Sequence, residues 1–198
     1  MEHPRGLVID TTGKISGRTG AYEKHLGDLA GVYQDAEAFQ TAILQQGSDT
    51  VVYRVEESRV GTGPGALIFG TSTVFPGRVG AEYALTKGHL HHQADREEIY
   101  YCISGRGVML MDSLDGASDV IELTPNVAVH VPGRWIHRSV NVGNEPLVTL
   151  FVYNEDAGQD YDIITAAGGM RQLVVDDGSG DWRTTPNPNH IPYKAVEL

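Results

Sequence analysis

The chain is short of cysteine, short of cations and free of long apolar runs, and each shortage removes a class of protein. One cysteine, Cys102, among 198 residues permits no intramolecular disulfide. That excludes a disulfide-stapled secreted scaffold and fits a reducing, cytoplasmic setting. Cys102 lies in the apolar run Ile99-Tyr100-Tyr101-Cys102-Ile103, which reads as packed core and not as a nucleophile. Lys and Arg number 15 against 26 Asp and Glu, a formal net charge of −11. Nucleic acid and anionic membrane both demand clustered cations, so neither is expected as a partner. The same deficit sets a condition: an anionic substrate must find a locally favourable site on an acidic protein. No stretch approaches the ~20 apolar residues needed to span a bilayer. Met1-Glu2-His3-Pro4-Arg5 leads into no apolar segment, so no signal peptide is expected. There are no repeats and no low-complexity segments.

What is present is an ordinary globular composition. Apolar residues make up 40% and charged residues 21%, too apolar for a disordered chain. The length suits one domain with an extension at each end. Residues 1–50 read as an N-terminal extension that packs on the main body. Within it Asp35 is a candidate N-cap for a short helix over Ala36–Gln46, with Phe39 and Ile43 one turn apart and Gly47 as its stop. Residues 51–198 read as that main body with a polar tail. There, short runs rich in Val, Ile, Tyr and Phe recur between Gly, Pro, Asn and Asp: Val51–Val55, Ala66–Phe75, Tyr83–His91, Glu98–Ile103, Val108–Met111, Val120–Leu123, Ala128–Val131, His137–Val142 and Leu147–Tyr153. Short strands at regular spacing predict an all-β jelly-roll barrel, which closes its own edges. After Tyr153 the spacing predicts a short helix over Asp160–Ala167, ended by Gly168-Gly169, and then surface packing or fraying around Thr185-Pro186-Asn187-Pro188.

The chemistry is concentrated in Thr86-Lys87-Gly88-His89-Leu90-His91-His92, which runs through a polar turn into Glu98-Ile99-Tyr100. Two residues apart on a strand, His89 and His91 share one face. His92 has the opposite parity and should face away. Glu98 opens the next strand and can point into the same cavity, with Tyr100 and Cys102 on its face. His137 follows the tight turn Pro132-Gly133 and can approach from the opposite wall. His3, His25, His130 and His190 have no partner at ligand spacing and read as surface or structural histidines. Three imidazoles and one carboxylate suit Fe²⁺, Mn²⁺, Ni²⁺ or Zn²⁺ better than Ca²⁺ or Mg²⁺. On a six-coordinate ion they leave two positions open, a catalytic arrangement and not a structural one.

His-x-His…Glu followed by Pro-x4-His-x3-Asn resembles the two-part cupin signature. With Val51-Val52-Tyr53, Phe75-Pro76-Gly77-Arg78-Val79-Gly80, Asp95-Arg96-x-Glu98-x-Tyr100 and Asp156-Ala157-Gly158-x-Asp160-Tyr161, the chain resembles the cupin-type glucose-6-phosphate isomerases first known from archaea. Matching blocks run from about residue 5 to about residue 176. The resemblance implies a cupin jelly-roll barrel that interconverts glucose 6-phosphate and fructose 6-phosphate, one divalent metal per subunit (Fe²⁺ first), and a homodimer. It implies metal ligands His89, His91, Glu98 and His137, the four that spacing selects. It implies sugar-phosphate contacts at Tyr53, Ser72, Thr86, Gly88, Tyr100 and Tyr161. Ser72 replaces a threonine and keeps the hydroxyl. Gln159 stands where relatives often have histidine, where it can bond a sugar but not shuttle a proton. Asn126 takes a turn position where cupins usually have Gly, and Asn tolerates the left-handed conformation next best.

Isomerisation moves hydrogen between C2 and C1. Glu98 is the candidate base for a route through a cis-enediol, and a metal-assisted hydride shift is the alternative. Thr86, Ser72, Gly88 and Tyr161 would bind the phosphate with hydroxyl and amide donors, which meets the condition set by the net charge. Strict alternation from His89 would turn Lys87 inward and Thr86 outward; a bulge at Gly88 reverses this. Competing readings are a cupin acting on mannose 6-phosphate, an iron-dependent dioxygenase, and a ligand-binding cupin with no activity.

Overall fold

Strand-forming residues alternate with turn residues from Val51 onward, and they assemble as three sheets. The structure, a computed structural model, describes residues 3, 4, 6–63 and 65–194. The signal-peptide reading of residues 1–5 falls mostly outside that range, as do residues 195–198 of the tail. The largest sheet takes β1 (Gly20–His25), β2 (Val51–Arg59), β3 (Leu67–Val74), β11 (Leu147–Asn154), β6 (Glu98–Ser104) and β9 (Ala128–Val131), in that order. Facing it are β10 (Trp135–Asn141), β7 (Gly107–Ser113) and β8 (Ser118–Leu123). The third sheet joins β13 (Trp182–Pro186), β12 (Gln172–Asp176), β5 (Glu82–Tyr83) and β4 (Arg78–Val79). All pairings within these sheets are antiparallel. The expected all-β barrel is therefore present. Among the described residues no helix is long and apolar enough to cross a membrane.

The core lies between the six-stranded and the three-stranded sheet. Val74, Cys102, Val108, Met109, Leu123, Ile136 and Leu147 are all essentially inaccessible there. The alternation read for β6 holds: Glu98, Tyr100 and Cys102 are buried while Ile99 and Tyr101 are exposed. Burial pushes the Cys102 thiol up to about 11, only partly offset by the Ser104 carbonyl. Very little reactive thiolate is then present near neutral pH. We expect iodoacetamide at pH 8 to leave the native protein unmodified and to label one thiol per chain once guanidinium unfolds it; rapid labelling of the native state would contradict this packing.

The helix α1 (Ala36–Gln46) forms where its signals place it. The Asp35 carboxylate accepts from the Ala38 N–H at 2.8 Å, Gly47 ends the helix at φ +91°, and Phe39 and Ala42 face the core. Asn126 takes the left-handed turn at φ +76°.

Four elements differ from expectation. Gly20-Ala21-Tyr22-Glu23-Lys24-His25 forms an edge strand although only Ala21 and Tyr22 are apolar, because its backbone pairs with β2 along its length. Tyr83–His91 is not one strand. Beyond Tyr83 it meets β10 through isolated bridges at Leu85↔Val140 and His89↔His137, with Gly88 at φ +75° between them. The second helix, α2 (Asp162–Ala166), is shorter than read, since Asp160 caps it from outside: its carboxylate accepts from the N–H groups of Asp162 and Ile163. The tail does not fray at Pro186, because β12 and β13 form a hairpin there and Asn187 is buried beyond it, donating to the carbonyls of Gly168 and Met170.

Candidate metal centre and active site

The extra residue in the 85–89 segment builds the site. Five residues from Leu85 to His89 oppose four from Val140 to His137, so the segment carries a one-residue bulge. The Thr86 N–H still donates to the Ser139 carbonyl and the His89 N–H to the His137 carbonyl. The bulge reverses parity as anticipated. Thr86 lines the cavity, while the Lys87 ammonium lies over the Tyr161 ring, 5.1 Å from its centre.

His89 and His137 face each other across this pairing, their rings 4.5 Å apart. Glu98, at the first position of β6, reaches them from the other sheet. Its Oε2 is 3.1 Å from His91 Nε2, 3.0 Å from His137 Nε2 and 3.9 Å from His89 Nε2. Two ligands at right angles on one ion, each at about 2.1 Å, sit roughly 3 Å apart. All four residues are buried, and their donor atoms lie within 4.8 Å of one another. His92 is exposed and takes no part, and His130 is an exposed partner of Glu97.

The donors are oriented for a cation. His91 Nδ1 is 2.8 Å from the Arg96 carbonyl and His137 Nδ1 is 3.2 Å from the Trp135 carbonyl. A carbonyl only accepts, so each Nδ1 carries its proton and turns the Nε2 lone pair inward. His89 Nε2 is buried with no hydrogen-bond partner. Lone pairs aimed at a carboxylate repel one another unless positive charge lies between them. Burial pushes the Glu98 carboxyl up, yet the histidines packed around it, His137 and His91 first, outweigh burial and hold the group far below the usual carboxylate range. Burial, followed by the closeness of His137, drives His89 well down, which favours its neutral, ligating form. Three imidazole nitrogens and one carboxylate, one of them orphaned, suit a divalent metal of borderline softness.

Above these donors opens a cavity of about 290 Å³. Every substrate residue named from sequence lines it: Tyr53, Ser72, Thr86, Gly88, Tyr100, Gln159 and Tyr161. Ser72 Oγ is buried without a partner. Thr86 Oγ1 accepts from the Ser139 N–H at 3.1 Å, which leaves its own proton free to donate. Tyr161 spends its hydroxyl proton on Gln159 Oε1, so Gln159 faces the cavity with amide protons to offer. Burial pushes the Tyr53 phenol up to about 12 and, with the Glu98 charge, raises Tyr100 too, so both stay protonated.

Sequence reasoning missed Tyr22, Glu57 and Arg59, which also line the cavity. Arg59 is its one Lys or Arg and is paired with Glu57, Nε to Oε1 at 2.9 Å. The signal was available in the alternation Tyr53, Val55, Glu57, Arg59, had β2 been carried past Val55 into its polar half.

Gly88 is the tightest point of the wall. A Cβ there would meet Arg138 Cβ, the His137 carbonyl and Ile164 Cδ1, each at 3.0 Å, on a backbone at φ +75°. Gly88→Ala is expected to destabilise the fold by about 1–3 kcal/mol and to raise KM more than it lowers kcat. Denaturant melts and steady-state kinetics check this, and unchanged KM would remove Gly88 from substrate binding.

A sequence model described as glucose-6-phosphate isomerase (GPI) matches residues 23–190. The chain is 51% identical over 196 residues to a glucose-6-phosphate isomerase of Sinorhizobium medicae, covering 98% of this chain and 91% of the relative. It is 40% identical over 188 residues to a glucose-6-phosphate isomerase of Thermococcus gammatolerans, covering 94% and 96%. Another from Pyrococcus furiosus is 36% identical, covering 94% and 97%. Likeness of this extent takes in both walls of the barrel and all four converging donors, and the chain therefore belongs to the glucose-6-phosphate isomerase family.

Proposed function

We propose that this protein interconverts D-glucose 6-phosphate and D-fructose 6-phosphate as a metal-dependent aldose–ketose isomerase. The observation that carries the reading is the pairing of two features in one cavity: four buried donors converge at its base, and hydroxyl and amide donors line its walls. We propose Fe²⁺ as the ion, with Mn²⁺, Ni²⁺ and Zn²⁺ also suited to the donor set. Held by His89, His91, Glu98 and His137, it supplies a Lewis acid for the charge that develops on the sugar oxygens during isomerisation.

The chain's own residues do the rest. Ser72, Thr86 and the Gly88 N–H form the phosphate end, joined by Tyr161 when its hydroxyl turns from Gln159 to the phosphate, and this fixes the distance from C6 to the reacting carbons. Tyr53, Tyr100 and Gln159 donate to sugar hydroxyls along the wall. Glu98 removes the proton at C2 and returns it to C1, the enediol route. Its carboxylate is kept ionised by its histidine neighbours and makes no ion pair with a Lys or Arg among the described residues.

The test is an assay of fructose 6-phosphate formation from glucose 6-phosphate, run with and without air. We expect turnover of about 1–10³ s⁻¹, equal in both atmospheres, and slower conversion of mannose 6-phosphate. Absence of turnover with metal bound, or a requirement for O₂, would refute the reading.

A further inference from the structure

The cavity must hold a phosphate on a protein of net charge −11, and the one cation on its wall, Arg59, is paired with Glu57. A second guanidinium lies just behind the wall. Arg138 is only 4% exposed and points to the opposite side of β10 from His137. Tyr33, Glu82, Asp112 and Tyr193 are the ionisable groups around it. It makes no ion pair among the described residues, and its Nε has no hydrogen-bond partner. Its one short contact is to a backbone carbonyl: Nη2 donates to the Lys87 oxygen at 2.6 Å. A buried cation with no ion pair is costly to hold, and the Lys87 carbonyl is the group within hydrogen-bond reach of it.

The Lys87 carbonyl and the Gly88 N–H belong to one peptide group. In a trans peptide these two bonds point in opposite directions, and the chain has no cis peptide among the described residues. Drawing the carbonyl back toward Arg138 therefore turns the N–H forward, toward the cavity that Gly88 lines. That N–H has no protein acceptor among the described residues. A cation on the oxygen of a buried peptide also polarises it and strengthens its N–H as a donor.

We propose that Arg138 is a positioning residue for anion capture, fixing and polarising the Lys87–Gly88 peptide so that the Gly88 N–H receives the phosphate of the substrate. The inference rests on the isomerase reading for the identity of that phosphate, but not for the capture itself. It explains how an acidic protein presents positive potential to a dianion without a lysine or arginine touching it.

The test uses ¹⁵N-labelled protein loaded with Zn²⁺, a diamagnetic ion suited to the same donors, titrated with inorganic phosphate. In the wild type the Gly88 amide proton should move downfield more than any other amide outside the 86–89 segment. In Arg138→Met it should stay nearly still, with the metal content unchanged. KM for fructose 6-phosphate should rise at least tenfold in Arg138→Met, while turnover of unphosphorylated fructose at high concentration stays within twofold of wild type. Arg138→Lys, which keeps the charge, should restore most of the affinity. The proposal falls if phosphate leaves the wild-type Gly88 amide unmoved, or moves it equally in Arg138→Met. It also falls if phosphorylated and plain sugars lose activity alike. Where Arg138→Met fails to fold, Arg138→Lys and the wild-type titration keep the proposal refutable, since an unmoved wild-type Gly88 amide overturns it. Phosphate that moves Gly88 only when Arg138 is present, in a protein that turns over no hexose phosphate, would sustain this inference and refute the isomerase reading.

Discussion

Removing divalent ions with a chelator is expected to lower hexose phosphate interconversion by on the order of 10³-fold or more, with activity returning at one equivalent of metal per chain. The size follows from what is lost, namely the main stabilisation of negative charge on oxygen in a site where water cannot replace it. The geometry makes the dependence sharp. His91 and His137 are locked by their Nδ1 bonds to the Arg96 and Trp135 carbonyls, so their inward lone pairs have no second use. Substituting one ligand should reproduce the effect. His137→Ala removes the donor that faces both His89 and Glu98, and micromolar Fe²⁺ or Mn²⁺ should no longer rescue turnover. The check is metal analysis beside the coupled assay. Full activity in a preparation shown to contain less than a hundredth of an equivalent of metal would exclude the mechanism.

Glu98→Gln is expected to cost about 10²–10⁴ in kcat while most of the bound metal stays in place. Gln has nearly the same shape and keeps an oxygen for the ion, so three imidazoles and an amide oxygen still converge. What it lacks is the ability to accept a proton from C2. Turnover of the wild type in D₂O should accordingly place solvent deuterium on the product, and the residual turnover of the variant should not. A variant that isomerises at the wild-type rate, or a wild type that never exchanges with solvent, would assign the chemistry to hydride transfer and leave Glu98 as a ligand alone.

The metal donors were legible because strand parity is a strict rule. His89 and His91 are two apart and share a face, His92 cannot, and Glu98 opens a strand whose apolar partners, Tyr100 and Cys102, point inward with it. The bulge was legible through a conflict, since Thr86 and His89 cannot both face the cavity without an extra residue at Gly88. β1 was not, because an edge strand of Gly, Ala, Tyr, Glu, Lys and His shows no alternation and gains its order from β2; Tyr22 was lost with it. Arg59 was lost because the apolar signal in β2 ends near Val55 while the strand runs on to the cavity rim. The hairpin of β12 and β13 hid behind Asp177-Gly178-Ser179-Gly180-Asp181, a polar run that here is the single turn between two paired strands. Charge behind a wall, as at Arg138, leaves no local pattern at all.

The four donors sit on separate pieces of the barrel: two on the bulged segment, one on β6 and one on β10. An ion among them is a rivet through both sheets, made only when the sheets are already together. Any species that binds solely to the assembled state adds RT ln(1 + [L]/Kd) to its stability, about 4 kcal/mol at a thousandfold excess over Kd. With such an ion bound, heat tolerance in this protein would be tied to trace-element supply. A cell starved of the ion would lose the protein to unfolding and proteolysis as well as losing its turnover.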